Sequence, residues 1–446
     1  MSKKITAAIC AAVMALCAAV PAYAEAADAS VKGDINGDTE VNVTDVTKLA
    51  AHVKSIRALQ GAEIERADLN GDGDVNVTDL TMLAAHVKGI RSLDGKYIYD
   101  TKAEKVLAEM TLHQKICQMF LVTPESLTGY GQVTQADSVL DKGLENYPVS
   151  GIILFDYNLV SKDQTRGFIS TGQQYNSKHS SVPLFFAVDE EGGTVARCAK
   201  KLGTTSFYNM YNYRYQGTQT AYNNAWTIAN DIASLGFNLD FAPVADTWSN
   251  PNNTVIGWRA YSDNFSDAAT LVASAVKGFN DGGVACTLKH WPGHGDTATD
   301  SHVGMACSYK TMEQLEKQEF LAFESGIEAG ADMVMVGHIT MTNIDNTPAS
   351  ISPVMVNDEL RGKLGYDGVV VTDALGMGAV ANYYDSATLA VKCVQAGDDL
   401  LLMPADLPLA VKGLEDAVAN GTISEERIDK SVMRILSLKE KRGILK

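Results

Sequence analysis

The segment 289–302 carries the densest group of side chains that could perform acid–base chemistry. It reads Lys-His-Trp-Pro-Gly-His-Gly-Asp-Thr-Ala-Thr-Asp-Ser-His and holds three of the eight histidines in the chain. Asp300 and His302 are separated by one residue, so the carboxylate can orient the imidazole and stabilise its protonated form. Because histidine titrates near neutral pH, it can act first as an acid and then as a base. Gly293 and Gly295 predict a mobile loop that brings this pair over a bound substrate.

Asp373 is the second candidate, and it follows the apolar run Val-Val-Val-Thr. A buried strand would hold its carboxylate rigidly, while Gly376 leaves room for a substrate. Cleavage of a glycosidic bond needs one carboxylate at the anomeric carbon and one group that protonates the departing oxygen. Asp373 and the pair formed by Asp300 and His302 meet these two needs. The alternative for Asp373 alone is a structural residue that caps the following helix.

The histidines of 289–302 could instead bind zinc, as in a metal-dependent amidohydrolase on the same kind of barrel. Two features argue against zinc. Such barrels usually carry a His-x-His pair at the end of the first strand, where this chain has Phe120, Leu121 and Val122. Lys289, directly before His290, would also repel a metal cation.

Short apolar runs alternate with helix-length segments from about residue 103 onward, which is typical of parallel βα units. The predicted strands are 116–122, 151–155, 184–188, 239–243, 285–289, 333–336, 369–372 and 400–403. Eight strands of this kind predict an α/β fold, a (β/α)8 TIM-type barrel whose active site lies at the carboxyl ends of the strands. Polar residues stand at five of those ends: Asp189, Asp246, Lys289, His290, His338 and Asp373.

Residues 34–59 and 68–93 form an internal repeat at an offset of 34, and both copies contain Leu-Ala-Ala-His-Val-Lys. Each copy opens with oxygen-bearing side chains at loop positions 1, 3, 5, 9 and 12, which is the spacing that surrounds calcium. Position 7 would contribute a backbone carbonyl. The predicted ligands are Asp34, Asn36, Asp38, Glu40, Asn42 and Asp45 in the first copy, and Asp68, Asn70, Asp72, Asp74, Asn76 and Asp79 in the second. One such loop alone could be a solvated turn, but two copies in register favour two calcium sites.

The first residues predict export. Lys3 and Lys4 precede the apolar run 5–20 and the small-residue site Ala22-Tyr23-Ala24, so residues 1–24 read as a secretory signal peptide. No later stretch is apolar enough to span a bilayer.

The formal charge of −17 argues against nucleic acid as a partner. The cysteines beyond the signal are odd in number and widely spaced, which does not predict a disulfide framework.

The duplicated loop-and-helix unit, residues 31–95, resembles a type I dockerin domain. Unlike an ordinary EF-hand, each loop has Asp at position 12, and no helix pattern precedes Asp34. The resemblance implies structural calcium, a cohesin module of a scaffold protein as partner, and an extracellular, cellulosome-like assembly. It also implies that positions 10 and 11 of each loop bias partner choice; these are Val43, Thr44, Val77 and Thr78.

Residues 96–446, the predicted catalytic barrel, resemble glycoside hydrolase family 3. The motifs that carry the resemblance are Val-Asp-Glu-Glu-Gly-Gly at 188–193, Phe-Ala-Pro-Val-Ala-Asp at 241–246, Ile-Gly-Trp-Arg at 256–259, the whole segment 289–302 and Val-Thr-Asp at 371–373. The Lys-His-x-Pro-Gly-His-Gly-Asp-Thr and Asp-Ser-His elements resemble its β-N-acetylhexosaminidase branch. Trp291 and Glu190 depart from the residues more usual in that branch, which are Phe or Ile and Gln respectively.

The resemblance implies a retaining mechanism. Asp373 would form a covalent glycosyl intermediate, and His302, held by Asp300, would protonate the leaving group and later activate water. The residues implied to bind the sugar are Asp189, Arg197, Arg259, Lys289 and His290. No cofactor is expected for catalysis.

The function implied is that of a secreted, exo-acting β-N-acetylglucosaminidase that removes terminal N-acetylglucosamine from an oligosaccharide, without membrane insertion. A β-glucosidase or β-xylosidase of the same family is the nearest alternative, and phosphate could replace water as the acceptor. A non-catalytic sugar-binding component is a further alternative, although such a protein would have no need of Asp373, Asp300 and His302 together.

Overall fold

The computed structural model describes residues 31–93, 99–297 and 306–446. The chain divides into two compact units, Met1–Thr101 and Lys102–Lys446. The predicted signal peptide and the predicted pair Asp300 and His302 lie outside the described residues. Within the described ranges, no helix combines the length and apolar character needed to cross a membrane.

The first unit follows the sequence repeat. Its helices are α1 (Val43–Val53), α2 (Ala62–Ala67) and α3 (Val77–Val87). Asn42 and Asn76 cap the two long helices in the same way, because each side chain accepts a hydrogen bond from the helix backbone while Asp45 or Asp79 accepts one in return. The buried apolar core joins both copies of the repeat: Ile35, Val46, Leu49, Leu59, Ala67, Leu69, Leu80 and Leu83.

The second unit is an eight-stranded parallel barrel. Its strands are β1 (Phe120–Val122), β2 (Gly151–Ile153), β3 (Phe185–Val188), β4 (Leu239–Asp240), β5 (Ala285–Trp291), β6 (Met333–Val336), β7 (Val369–Thr372) and β8 (Leu401–Leu402). The order across the sheet is β7-β6-β5-β4-β3-β2-β1-β8. A parallel bridge between Val371 and Leu400 brings the two edge strands together, so the sheet is almost closed on itself. The predicted barrel is therefore confirmed.

Helices and short turns surround the barrel. The helices are α4 (Lys102–Glu109), α5 (Leu112–Gln118), α6 (Pro124–Thr128), α7 (Ser138–Asn146), α8 (Lys162–His179), α9 (Arg197–Leu202), α10 (Thr218–Ala233), α11 (Phe265–Asp281), α12 (Met312–Lys317), α13 (Phe320–Glu328), α14 (Gly378–Ala381), α15 (Ser386–Ala396), α16 (Leu407–Ala419) and α17 (Glu425–Lys441), with a π-helix at Val354–Lys363. Short 3-10 turns occupy Asp156–Asn158, Met210–Tyr213, Gly257–Arg259 and Ala349–Ile351. Two small sheets pair Glu190–Gly192 with Val195–Ala196, and Ala306–Ser308 with Ile339–Met341.

The first predicted strand, 116–122, was wrong in its first half. Residues 116–118 end helix α5, because Thr111 and Gln114 form a reciprocal cap that starts a helix just before them. The fifth strand continues past its predicted end at 289 to Trp291, while β4 and β8 are only two residues long. Strands β6 and β7 have the predicted bounds.

Side chains from alternate strand positions fill the barrel. They include Leu121, Ile153, Phe185, Leu239, Met333, Met335, Val369, Val371, Leu400 and Leu402. Ile435 and Leu438 of α17 pack against the same cluster. The barrel interior is thus a packed core, and polar chemistry is confined to its ends.

Lys439 is buried among apolar residues where α17 meets the amino-terminal ends of the strands. Its Nζ donates to the Ser150 carbonyl at 2.8 Å and to Gln118 Oε1 at 3.2 Å, and it lies 4.7 Å from the centre of the Phe185 ring. Burial away from water holds the pKa of Lys439 well below its usual range.

We expect this lysine to make stability depend on pH. A lysine that is neutral when folded and charged when unfolded takes up a proton on unfolding, so the free energy of unfolding rises with pH up to about 10.4. Relative to Lys439→Met, the unmodified protein should become more stable as the pH rises toward about 10, by up to about 1.4 kcal/mol per pH unit, measured by denaturant unfolding. Lys430→Met is the control, because Lys430 forms an exposed i,i+4 ion pair with Glu426. Its free energy of unfolding should change with pH in parallel with that of the unmodified protein. If the free energy of unfolding of Lys439→Met also changed with pH in parallel with that of the unmodified protein, the pH dependence would not come from Lys439.

Candidate active site

A cavity of about 510 Å³ opens at the carboxyl ends of the barrel strands. Its polar lining comes from the end of β5 and from the segments after β3, β4, β5 and β7: Asp189, Glu191, Arg197, Arg259, Lys289, His290, His294 and Asp373. Its apolar lining includes Ile153, Phe155, Phe241, Met335, Leu402 and Met403. The structure therefore brings together all the predicted site residues of the barrel that it describes.

Five charged side chains form one ion-pair network in this cavity. Lys289 Nζ lies 2.9 Å from Asp189 Oδ1 and 2.7 Å from Glu191 Oε1. Arg259 binds Glu191 through two hydrogen bonds of 2.8 Å, one from Nε and one from Nη2. Arg197 approaches Asp189 at 3.8 Å and lies over the Phe155 ring. Two donors are thus held in place by carboxylates before any substrate binds.

Burial makes these charges depend on one another. Burial by itself would raise the pKa of Glu191, but Arg259 and Lys289 more than compensate and hold it well below its usual range. Burial likewise opposes the charge on Lys289, yet Asp189 and Glu191 raise the pKa of its ammonium. Glu191, Lys289 and Arg259 are therefore charged at neutral pH.

Glu191 was not among the predicted site residues, although it lies within the motif 188–193. The chain turns sharply after it, because Gly192 and Gly193 have φ of +85° and +63°. A side chain on Gly193 would collide with Asn209, which caps this turn by accepting from Thr194 N at 2.8 Å. In the sequence, the paired glycines indicate a tight turn. The sequence does not indicate which of the two preceding glutamates, Glu190 or Glu191, faces the cavity.

Glu190 faces the other way. Its carboxylate accepts hydrogen bonds from the Cys198 and Ala199 amides at the start of α9. Burial raises the pKa of Glu190 to about 7, although those amides oppose the shift. The adjacent glutamates thus have different tasks, since one pairs with cavity cations and the other anchors a helix.

Asp246 supports two histidines from beneath the cavity lining. It accepts from the backbone amide of His290 and lies 2.7 Å from His290 Nδ1, and it also accepts from the His294 amide. Burial opposes the charge on Asp246, but the two histidines keep its pKa below the usual value. Burial and the neighbouring His290 lower the pKa of His294, which favours its neutral form. Asp246 was predicted to point at the cavity; it lies one layer behind it and fixes the histidines.

Asp373 lies at the carboxyl end of β7 and lines the cavity. Its backbone amide donates to the Val336 carbonyl of β6 at 2.8 Å, and its Oδ1 accepts from the Ala374 amide at 2.7 Å. His338 is buried behind it, between Ser350 and the Ala374 carbonyl. His338 therefore fixes the backbone beside Asp373 and does not line the cavity.

The first loop of the small unit brings its carboxylates together. One oxygen from each of Asp34, Asp38 and Asp45 lies within 4.8 Å of the others. Burial raises the pKa of Asp45, and the nearby Asp34 adds to the shift. A bound divalent cation would offset this repulsion, and the hard oxygen donors fit calcium. Asp45 accepts from the Asn36 and Asn42 amides, and in the second loop the buried Asp79 accepts from the matching Asn70 and Asn76 amides and also from the Leu69 amide.

The fold and the cavity together define a (β/α)8 barrel with its polar site where barrel enzymes have their active sites. Residues 111–438 match the glycosyl hydrolase family 3 N-terminal domain, and the chain belongs to that family. Residues 32–88 match the type I dockerin domain. Both resemblances inferred from the sequence are confirmed.

Curated relatives and solved structures agree with this assignment. A β-hexosaminidase A from Pseudoalteromonas piscicida is 35% identical over 331 residues, 68% of this chain and 55% of its own length. A β-hexosaminidase from Xylella fastidiosa is 33% identical over 265 residues, covering 58% of this chain and 77% of its own length. The structure of a glycoside hydrolase family 3 β-N-acetylglucosaminidase from Paenibacillus sp. is 38% identical with a TM-score of 0.71, covering 75% of this chain and 63% of that one. The chain thus spans only part of the first and third of these proteins.

The two glutamates offer a matched test of the ion-pair network. Glu191→Gln leaves Lys289 and Arg259 without their shared anion, so we expect a loss of about 3 kcal/mol in the free energy of unfolding and at least tenfold weaker substrate turnover. Glu190→Gln, one residue away and equally buried, should cost about 1 kcal/mol, because it disturbs hydrogen bonds to backbone amides only. Denaturant unfolding and kcat/KM measure the two effects. Equal losses of unfolding free energy and of kcat/KM in Glu191→Gln and Glu190→Gln would contradict the different roles given to the two glutamates.

Proposed function

We propose that this chain is an exported, retaining, exo-acting β-N-acetylglucosaminidase that hydrolyses terminal β-linked N-acetylglucosamine. The observation that carries the proposal is the cavity in which Asp373 and the network of Lys289, Arg259, Glu191 and Asp189 converge. Membership of glycosyl hydrolase family 3 and the names of its relatives support the reaction and the sugar.

In the proposed mechanism Asp373 attacks the anomeric carbon of the terminal sugar. The glycosidic bond breaks as the ester to Asp373 forms, and His302, held by Asp300, gives a proton to the departing oxygen. In the second step His302 takes a proton from water, which attacks the same carbon and releases Asp373. The roles of His302 and Asp300 rest on the sequence motif that they share with the family.

The remaining polar residues would hold the terminal sugar. Lys289 and Arg259 donate hydrogen bonds, and Asp189 accepts them, so the network can bind adjacent hydroxyl groups or the acetamido oxygen. Arg197 and His290 would complete this subsite. Because the cations are already oriented by Glu191 and Asp189, little ordering is needed when the sugar binds.

The first experiment is release of nitrophenol from the β-N-acetylglucosaminide, β-glucoside and β-xyloside by the full chain. We expect preference for the N-acetylglucosaminide, and the first-formed product should be the β-anomer of the free sugar by NMR, without sugar phosphate in phosphate buffer. Preference for another glycoside would move the proposal to a β-glucosidase or β-xylosidase.

Removal of the nucleophile tests the mechanism. Asp373→Ala should lower kcat by at least about 10³-fold, and added azide should restore turnover with the α-glycosyl azide as product. Asp367→Ala is the control, because this exposed residue precedes the amino-terminal end of the same strand and pairs with Arg434 at the surface. It should change kcat by less than about twofold. Unchanged activity in Asp373→Ala would overturn the mechanism.

We also propose that residues 31–95 form a dockerin with two calcium sites, which binds a cohesin module of an extracellular scaffold. The ligands would be the six residues of each loop predicted above. The support is the dockerin match and the closeness of Asp34, Asp38 and Asp45. Calcium would stabilise this unit and take no part in sugar cleavage.

Calcium titration can separate the two loops. Isothermal calorimetry of the full chain should give about two bound calcium ions, and about one for either Asp38→Ala or Asp72→Ala. These exposed residues occupy the same position in each copy, so each variant is the control for the other. Chelation should lower the thermal stability of the small unit and leave glycoside hydrolysis intact. Loss of hydrolysis in EDTA would favour a catalytic metal instead.

A further inference from the structure

Three aromatic side chains pack together on the loops after β3 and β4; we call Tyr211, Trp248 and Trp258 the aromatic ledge. The Trp258 ring centre lies 5.3 Å from that of Tyr211 and 5.9 Å from that of Trp248, and Tyr211 and Trp248 are 5.0 Å apart. Tyr211 is buried, whereas Trp258 remains 52% exposed. The ledge therefore offers one large, partly open indole surface to solvent.

The ledge belongs to the loop that builds the cavity. Trp258 lies on the 3-10 turn Gly257–Arg259, and its neighbour Arg259 lines the cavity together with Val255. Trp248 follows two residues after Asp246, which holds His290 and His294 in place. The loop after β4 thus contributes Val255 and Arg259 to the cavity lining and also carries Trp248 and Trp258 of the ledge.

The surroundings fix the ledge before any ligand binds. The Tyr211 hydroxyl donates to Asp263 at 2.8 Å, and the Arg214 guanidinium lies 3.9 Å from the centre of the Tyr211 ring. Edge-to-face packing against Tyr211 then restricts Trp258. A rigid, half-exposed indole can bind a flat apolar surface with little loss of side-chain entropy.

A pyranose ring presents such a surface, because its axial C–H groups form an apolar face while its hydroxyls point outward. We propose that Trp258 forms a second sugar-binding subsite, which stacks against the ring on the leaving side of the scissile bond. The inference rests on the proposed exo-glycosidase function. In an exo-acting enzyme the terminal sugar is enclosed, and only the leaving part of the substrate extends past the loops that border the cavity. The preferred substrate class is therefore an oligosaccharide of at least two rings.

The test compares two substrates on the full chain: N-acetylglucosaminyl fluoride, which has no ring beyond the scissile bond, and an N-acetylglucosamine trisaccharide. Trp258→Ala should lower kcat/KM for the trisaccharide by about two- to tenfold, mainly through KM, which corresponds to the loss of one aromatic contact. Its kcat/KM for the fluoride should stay within about twofold, and Trp258→Phe should recover most of the loss on the trisaccharide.

Trp226→Ala is the matched control, since Trp226 is a tryptophan of similar exposure, 44%, on the outer helix α10. It should affect neither substrate. Equal losses on both substrates in Trp258→Ala and Trp258→Phe would mean that Trp258 acts through Arg259, and unchanged trisaccharide kinetics would mean that no ring stacks there; either result overturns the subsite. Failure of the unmodified enzyme on both substrates would instead refute the proposed function itself.

Discussion

The buried carboxylate of Glu191 is the charge around which the cavity is arranged. It binds a lysine from the end of β5 and an arginine from the loop after β4, while Asp189, two residues earlier, takes a second hydrogen bond from the same lysine. Removing several charges from water is costly, and only complete mutual pairing offsets that cost. The segments after β3, β4 and β5 are therefore held in one arrangement, and the donors that would face a sugar are oriented in advance.

Other buried contacts keep that arrangement in register. Asp246 connects the β4 loop to the end of β5 through His290 and to the loop after β5 through His294, so a shift of either segment would leave a buried carboxylate without donors. The barrel core beneath consists of alternating apolar side chains, and α17 packs against it. Rigidity at the cavity thus depends on polar pairing in the loops and on apolar packing in the strands. Asp373 benefits from both, because its backbone is bonded to β6 and its neighbour Ala374 to His338.

The small unit solves a different physical problem. Among its described residues, the core contains eight buried apolar side chains, and the first loop brings together acidic groups that repel one another. Small domains of this size often depend on a metal for stability. Bound calcium would offset the repulsion between the carboxylates and would fix each of the two repeated loops to its helix. Duplication of the capped helix gives each half the same local geometry, as the identical roles of Asn42 and Asn76 demonstrate. The two units of the chain therefore use carboxylates for distinct purposes.

The sequence alone determined the local and periodic features of this protein. The repeat, the eight apolar runs and the ordered motifs were sufficient for the barrel, the dockerin and the family, since each depends on residues close together in the chain. The predicted strand ends brought Asp189, Lys289, His290 and Asp373 to one site, because parallel strands end at one edge, and the family resemblance added Arg197 and Arg259. The predicted strand 116–122 overlapped helix α5, which a local cap at Thr111 and Gln114 begins. Sequence did not distinguish Glu191 from Glu190 or identify Asp246 as a support. Those outcomes depend on partners 68 residues away for Glu191 and 44 for Asp246. Only the tertiary structure decided them, because pairing of buried charges is set by which side chains meet after the barrel closes.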